Sequence, residues 1–342
     1  MLTTAFDELD LQLLHGLQIA PRVPWAQAAR ILGTSPVTLM SRWDRLREEG
    51  LAWVVAHPSG EGDVLTAFVD VDIEPGRQSE VVATLVLDPR ALSIEQSARG
   101  RDLRITVMAR DLGSLSRFVL DDLPRVPGVR RQRTSLALQI HRQGRDWRLQ
   151  SLDQHQREGF EVARRQSTAP AGPLPRDPQP IIDLLAADGR AGAADIARSA
   201  GRNQATMRRH LARVVGSGLL SFRCEIAQDP TLWGLHCTWL ARVPEESKER
   251  TVAALATLHE LRLCVSTSGE TNLLVSVWAR SPSDLMRLER LLGDRLPWLT
   301  LVESIIMLRT PKRFGWVVDE RGRATGEVVP PVIIGDDDPA VA

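Results

Sequence analysis

Residues 25–51, WAQAARILGTSPVTLMSRWDRLREEGL, recur without a gap as residues 193–219, AADIARSAGRNQATMRRHLARVVGSGL, at an offset of 168. Ala29/Ala197, Arg30/Arg198, Gly33/Gly201, Thr38/Thr206, Arg45/Arg213, Gly50/Gly218 and Leu51/Leu219 coincide. In each copy a short helical pattern runs into a glycine and a second, Arg-bearing helical pattern follows, the layout of a helix-turn-helix DNA reader. Gly33 suits a helix C-terminus that needs positive φ. Ser35 and Pro36 supply a hydroxyl N-cap and a proline at the first helical position, and Asn203 takes the capping place in the second copy. Ahead of each copy lies one more amphipathic stretch: Leu9, Leu13, Leu14 and Leu17 share a stripe, as do Ile181, Ile182, Leu184 and Leu185.

After each reader the periodicity changes. Residues 64–73, VLTAFVDVDI, alternate apolar and polar, the pattern of a strand with one face on a core. A helix near 77–87, strands near 91–97 and 103–109, a helix near 112–123 and a strand near 130–140 follow. The second half repeats this order with strand 235–243, helix 248–258, strands 261–267 and 272–279, helix 283–295 and strand 300–308. The order β-α-β-β-α-β predicts a ferredoxin-like sandwich. The expected class is therefore α+β: two winged or plain three-helix readers (1–56 and 177–227), each followed by a sandwich (64–142 and 232–312). Residues 143–176 read as a linker, helical at 151–166, with an extended stretch at 167–180 that carries prolines 170, 173, 175, 178 and 180. Residues 318–342 read as a charged, flexible tail.

The chain has 342 residues, and its 43 basic residues balance 43 acidic ones. Net charge thus carries no argument for nucleic acid, and any such argument must be local. Cys224, Cys237 and Cys264 lack metal-site spacing and read as buried apolar side chains, so neither a metal nor a cofactor is expected. The acidic start MLTTAFDELD does not read as a secretion signal, and no apolar run is long enough to span a bilayer. The expectation is a cytoplasmic protein with no membrane partner.

The Arg-bearing helices are the candidate DNA contacts. In the first, Thr38, Ser41, Arg42 and Arg45 recur at spacings of three and four, predicted to face outward and opposite Val37, Met40 and Leu46, with Ser35 at the start. In the second the candidates are Arg202, Asn203, Gln204, Thr206, Arg208, Arg209 and Arg213. Arginine suits guanine edges and phosphates, and hydroxyl and amide side chains suit phosphates or bases. The copies differ in charge. From 1 to 55 five Arg meet six acids, a balance of −1; from 177 to 223 seven Arg meet four Asp, a balance of +3. Since phosphate neutralisation supplies most non-specific affinity, the second reader is expected to grip double-stranded DNA more strongly.

With LGTSPVTLMSRWDRLREEGL followed by a β-α-β-β-α-β pattern, the chain resembles the Lrp/AsnC, or feast/famine, family of transcription regulators, once over about 6–142 and again over 177–312. The resemblance implies a sandwich (the RAM domain) that assembles into homo-oligomers and senses an amino acid or another small effector. It also places the effector turn between the second and third sandwich strands. Here that turn reads Ser268-Gly269-Glu270-Thr271-Asn272 in the second half, and its counterpart in the first offers Gly100, Arg101 and Asp102. The tryptophans read as core packing, and Trp278, on the strand that follows the effector turn, is the one placed to line a pocket instead.

Two other functions fit the same architecture. Siroheme decarboxylases are similar to it in size when two subunits are fused, but their chemistry leans on His and Tyr, and this chain has no Tyr. His141, His236 and His259 read as scattered surface or half-buried residues, and no catalytic residue is assigned. The remaining alternative is a ligand-sensing assembly protein whose readers are degenerate.

Overall fold

A computed structural model describes residues 5–59, 64–98, 100–167 and 172–335. The first reader consists of α1 (Glu8–Ile19), α2 (Trp25–Leu32) and α3 (Pro36–Glu48), then strand β1 (Ala52–Pro58). Its caps follow the local chemistry. Asp7 accepts from the backbone N–H of Asp10 at 2.9 Å and Asp10 returns the bond at 3.1 Å. Gly33 closes α2 at φ 68°, and Ser35 caps α3 by accepting from Thr38 N at 3.0 Å. Next come β2 (Leu65–Ile73), α4 (Gln78–Val86), β3 (Ser93–Ser97), β4 (Leu103–Ala109), α5 (Leu112–Arg117) and β5 (Val129–Arg142). The helix predicted to reach 123 loosens after Arg117 into a π turn and a 3-10 turn around Pro124, which has no N–H to continue the ladder.

Helix α6 (Gln154–Ser167) occupies the predicted helical linker, yet it is not a free spacer. Its Phe160 is fully buried against α1, and a Cβ on Gly16 would fall 2.3 Å from the Phe160 ring. The second reader comprises α7 (Gln179–Ala187), α8 (Ala193–Ala200), α9 (Gln204–Val215) and β6 (Leu220–Ile226). The single turn α10 (Pro230–Trp233) leads into β7 (Leu235–Arg242), α11 (Lys248–Leu255), β8 (Leu261–Thr267), β9 (Leu273–Ala279), α12 (Pro282–Arg295), β10 (Thr300–Arg313), β11 (Trp316–Val318) and β12 (Ala324–Val328).

Each half arranges its four sandwich strands in the order second-third-first-fourth, all antiparallel: β3-β4-β2-β5 and β8-β9-β7-β10. The two sheets join at both edges. β5 pairs with β8, with Ile140 opposite Val265, and β10 pairs with β3, with Lys312 opposite Ile94. Eight strands thereby close into a barrel, which removes the unpaired edges of both sheets. The helices lie outside and cover two separate apolar cores, one around Val69, Ile105 and Phe118, the other around Trp239, Val275 and Leu288. The opposite sheet faces look at each other across the lumen.

The readers are joined differently from a winged module. Among the described residues neither reader forms a hairpin of its own; instead β1 pairs with β6 from Ala52↔Ile226 to Pro58↔Leu220, making a two-stranded ribbon between them. The residues expected as a flexible tail are folded as far as 335. β12 pairs with β11, Ala324 N donates to Gly50 O at 2.9 Å, and Ile334 bridges to Ala109 with 3% of its surface exposed. Gly50, at φ 65°, is needed there, because a Cβ would sit 2.3 Å from Ala324 O. Residues 336–342 of that expected tail lie outside the described residues. Among the described residues no helix is long and apolar enough to cross a membrane.

Candidate functional site

The reading helices present different faces. In α3 the buried stripe is Leu39, Trp43 and Leu46, with Trp43 against Trp25 at a ring separation of 6.3 Å. This turns Val37 (75% exposed) and Met40 (45%) outward, beside Ser41 and Asp44. The sequence pattern predicts Val37 and Met40 inward; the bulk of Trp43 at the i+4 position sets the stripe elsewhere. Arg42 and Arg45 lie on the flank facing α1. Arg42 donates to Asp7 at 2.6 Å and Asp10 at 2.9 Å, and Arg45 to Asp10 at 2.5 Å and Glu49 at 3.4 Å. Asp10 is 1% exposed, so these arginines neutralise a buried carboxylate. Thr38 is half-buried and shares a hydroxyl contact with Ser35 at 2.8 Å.

In α9 the buried residues are Met207 and Val214. Arg202, Gln204, Arg208 and Arg209 are exposed, Thr206 and Arg213 half-buried, and Asn203 caps the helix by accepting from Ala205 N at 2.9 Å. Position for position, Arg208, Arg209 and Ala212 stand where α3 has Met40, Ser41 and Asp44.

The candidate effector turns are tied into the fold. Ser268 Oγ accepts from Leu136 N at 2.9 Å, and Asn272 bonds both backbone groups of Val243, at 2.9 and 2.7 Å. Glu270 O accepts from Arg242, Thr271 O from Thr267 Oγ1, and Gly269 sits at φ 117°. In the first half Arg101 bridges Asp70 and Glu303, Asp102 accepts from Ile73 N at 2.7 Å, and a Cβ on Gly100 would meet Glu303 at 2.7 Å.

The barrel lumen holds a second constellation. A cavity with about 200 Å³ of water-accessible space is lined by apolar Phe68, Met108, Leu274, Trp278 and Phe314 and by four arginines, Arg104, Arg223, Arg262 and Arg313. Trp278 is among the residues that line this cavity. Arg104 comes from β4, Arg262 from β8 and Arg313 from the end of β10; Arg223 comes from the ribbon strand β6. Arg104 pairs with Asp70 at 2.8 Å, and its Nη1 is buried without a hydrogen-bond partner. One carboxylate, Glu225, serves the other three: Arg223 directly, Arg262 at 3.5 Å and Arg313 at 3.6 Å. Burial alone would push the Glu225 carboxyl up, but these three cations outweigh it and hold it below the usual range. Burial draws Arg262 down to about 9. Its guanidinium lies 3.8 Å over the Trp278 ring, and that of Arg223 lies 4.2 Å over Phe314. Phe314 holds φ 49°, a strained backbone for an L residue.

Two histidines complete the lining. His236, read from sequence as scattered and peripheral, is buried, with Nε2 2.7 Å from Ser276 Oγ and Nδ1 3.4 Å from Glu95. Burial first, then the fields of Arg313, Arg262 and Arg104, depress it to about 3. His57, on β1, is lowered to about 4 by burial and by Arg223. Both are neutral at pH 7. Removal from water raises Glu95. Sequence periodicity does not reveal these residues, because it assigns alternate strand positions to solvent. A signal is present: β9, LLVSVWA, is nearly continuous in apolar residues, as strands buried on both faces are.

Residues 6–47 match the model of the AsnC-type helix-turn-helix domain and residues 66–147 that of the Lrp/AsnC ligand binding domain. An HTH-type transcriptional regulator of Pyrococcus abyssi is 28% identical over 141 residues, 40% of this chain and 89% of the relative. The regulator AldR of Mycolicibacterium smegmatis is 27% identical over 136 residues, 38% of this chain and 80% of the relative. Over residues 6–147 the chain is thus similar to the Lrp/AsnC family of transcription regulators. At the level of fold the likeness extends further: the siroheme decarboxylase NirDL, solved with an iron-uroporphyrin III analogue, aligns over 90% of this chain and 93% of its own, with a TM-score of 0.56 at 14% identity.

Proposed function

We propose that the chain is a DNA-binding transcription regulator of the Lrp/AsnC type in which two readers on one polypeptide act as a fixed pair, tuned by a small effector. The observation that carries this reading is α9, an exposed helix with Arg208 and Arg209 on its solvent face and no acid on that face, positioned by the ribbon that also holds α3. Cationic side chains on a projecting helix suit phosphates and guanine edges. The named relatives are transcription regulators, which supports extending that role to this chain. Mapping bound genomic fragments at two salt concentrations tests it. Discrete sites that persist at the higher salt are expected; binding that vanishes uniformly, or no sites at all, refutes sequence-specific reading.

A second reading is favoured by one observation, the two neutral histidines in the arginine-lined lumen. By analogy with the fold neighbour, the lumen would hold a tetrapyrrole and remove a side-chain carboxylate. The acetate C–C bond breaks, CO2 leaves, and the residual CH2 carbon takes a proton to become CH3. Incubation with siroheme under anaerobic conditions, followed by mass spectrometry for loss of CO2, separates the readings; an unchanged mass excludes the enzyme.

A further inference from the structure

We infer that the barrel lumen is a binding site for a small, flat di- or tricarboxylate, and that the β1–β6 ribbon makes the readers sense its occupancy; the second clause rests on the regulator reading above. The charge balance is the first argument. Arg104, Arg223, Arg262 and Arg313 face Asp70, Glu95 and Glu225, leaving one surplus positive charge, or two when Glu95 is protonated, while Arg101 and Glu303 balance one another. Unpaired buried charge is unfavourable unless an opposite charge joins it. The buried, unpartnered Arg104 Nη1 supplies a donor with nothing to donate to. With Glu95 protonated, a dicarboxylate cancels the excess and a tricarboxylate leaves one negative charge, and either offers Arg104 Nη1 an acceptor, whereas an octacarboxylate would reverse the excess many times over.

The shape of the lining gives the rest of the chemistry. Phe68, Met108, Leu274 and Trp278 offer apolar and aromatic surface beside the guanidinium forks, so the ligand has a flat apolar body carrying its carboxylates at the rim. The connection to the readers is short. Arg223 and His57 line the cavity from β6 and β1. Three residues (49–51) separate α3 from β1, and four (216–219) separate α9 from β6. A ligand that pulls on Arg223 therefore acts on a strand continuous with the more basic reader, and differential contact of this kind is what shifts a conformational balance.

The full chain is titrated by calorimetry with trimesate and phthalate, with benzoate as the monocarboxylate and uroporphyrin III as the octacarboxylate. Trimesate and phthalate are expected to bind and raise the melting temperature, benzoate to bind at least tenfold more weakly. Arg104→Gln and Arg262→Gln should weaken trimesate about ten- to a hundred-fold. Thr106→Leu, which fills the lumen and keeps every arginine, should weaken it as well, and circular dichroism verifies that each variant is folded. Binding unchanged in all three variants, no binding by either probe, or binding by uroporphyrin III alone overturns the site. Trimesate should also change the affinity of the wild-type chain, and not of Thr106→Leu, for its own DNA fragments. Trimesate binding with unaltered DNA affinity overturns the coupling. Failure to bind DNA under any condition instead sinks the regulator reading and leaves the lumen assignment to stand on the titrations.

Discussion

At positions 168 residues apart, α3 turns Met40, Ser41 and Asp44 to solvent where α9 turns Arg208, Arg209 and Ala212. Of the three arginines that α3 carries, Arg42 and Arg45 close onto Asp7 and Asp10 of α1, and Arg47 pairs with Asp188 at 2.9 Å. The same residue type thus performs two jobs in two copies of one module. In the first reader arginine neutralises a buried carboxylate and locks helix to helix; in the second, at Arg208 and Arg209, it stands exposed to solvent. A count of arginines cannot separate these roles, because the deciding factor is whether the preceding helix offers an acid within reach. α1 offers Asp7 and Asp10; α7 has Ile and Leu at 181–185 apart from Asp183, which accepts from Gln179 at 2.7 Å.

The difference extends to acid stability, where the largest effect is expected. His15 in α1 and His57 in β1, both in the first reader, are each lowered to about 4, chiefly by burial, from an ordinary value of 6.5. Above pH 6.5 neither the folded nor the unfolded chain protonates them. Between 6.5 and about 4 the unfolded chain binds protons that the fold refuses, so stability falls with pH, by up to about 1.4 kcal/mol per pH unit for each histidine. Hydrogen exchange from pH 7 to pH 4.5 should show the first reader opening before the second. Simultaneous opening would erase this part of the contrast. The next effect is on DNA. Arg208→Ala with Arg209→Ala should weaken binding about ten- to a hundred-fold and lower the salt slope by about two. Arg42→Ala with Arg45→Ala should chiefly lower stability, by about 1–3 kcal/mol in urea titrations, since Asp10 loses its cations and both arginines are only partly shielded from water. Equal losses of DNA affinity in both pairs would break the comparison. The smallest effect is a gain: Met40→Arg with Ser41→Arg gives α3 the exposed pattern of α9 and should tighten non-specific binding a few-fold at low salt.

Features set by near neighbours along the chain are legible from the residues alone. Ser35, Asn203, Gly33 and Gly201 cap or end their helices as their residue types predict, since caps depend on a few adjacent backbone groups. The strand and helix order is legible for the same reason. The barrel is not, because β5–β8 and β10–β3 pair residues more than a hundred positions apart, and the polar members of alternating strands look the same whether they meet bulk water or an enclosed lumen. Thr66, Thr106, Thr238 and Ser276 line that lumen, and the small size of these polar strand residues is the available clue. The cationic cluster is hidden more deeply. Arg223 follows a reader, Arg262 begins a strand and Arg313 ends one, and only closure brings them to one carboxylate. Folding of 319–335 is equally out of reach, since a short polar strand gains its place from Gly50 and β11 rather than from its own composition.

The β1–β6 ribbon has a consequence for stoichiometry. Two separate subunits meeting through such a ribbon come apart on dilution, and their pairing follows the square of their concentration. Within one chain the partner strand is always present at a high effective concentration, so the reader pair persists however few molecules a cell contains. Identical subunits must also be related by an axis, so that any change in one reader appears in both and the matching DNA is palindromic. A covalent pair obeys no such axis. Met40 and Arg208 have diverged at equivalent places, and on the regulator reading proposed above the DNA for this chain would be two unlike half-sites read in a fixed orientation.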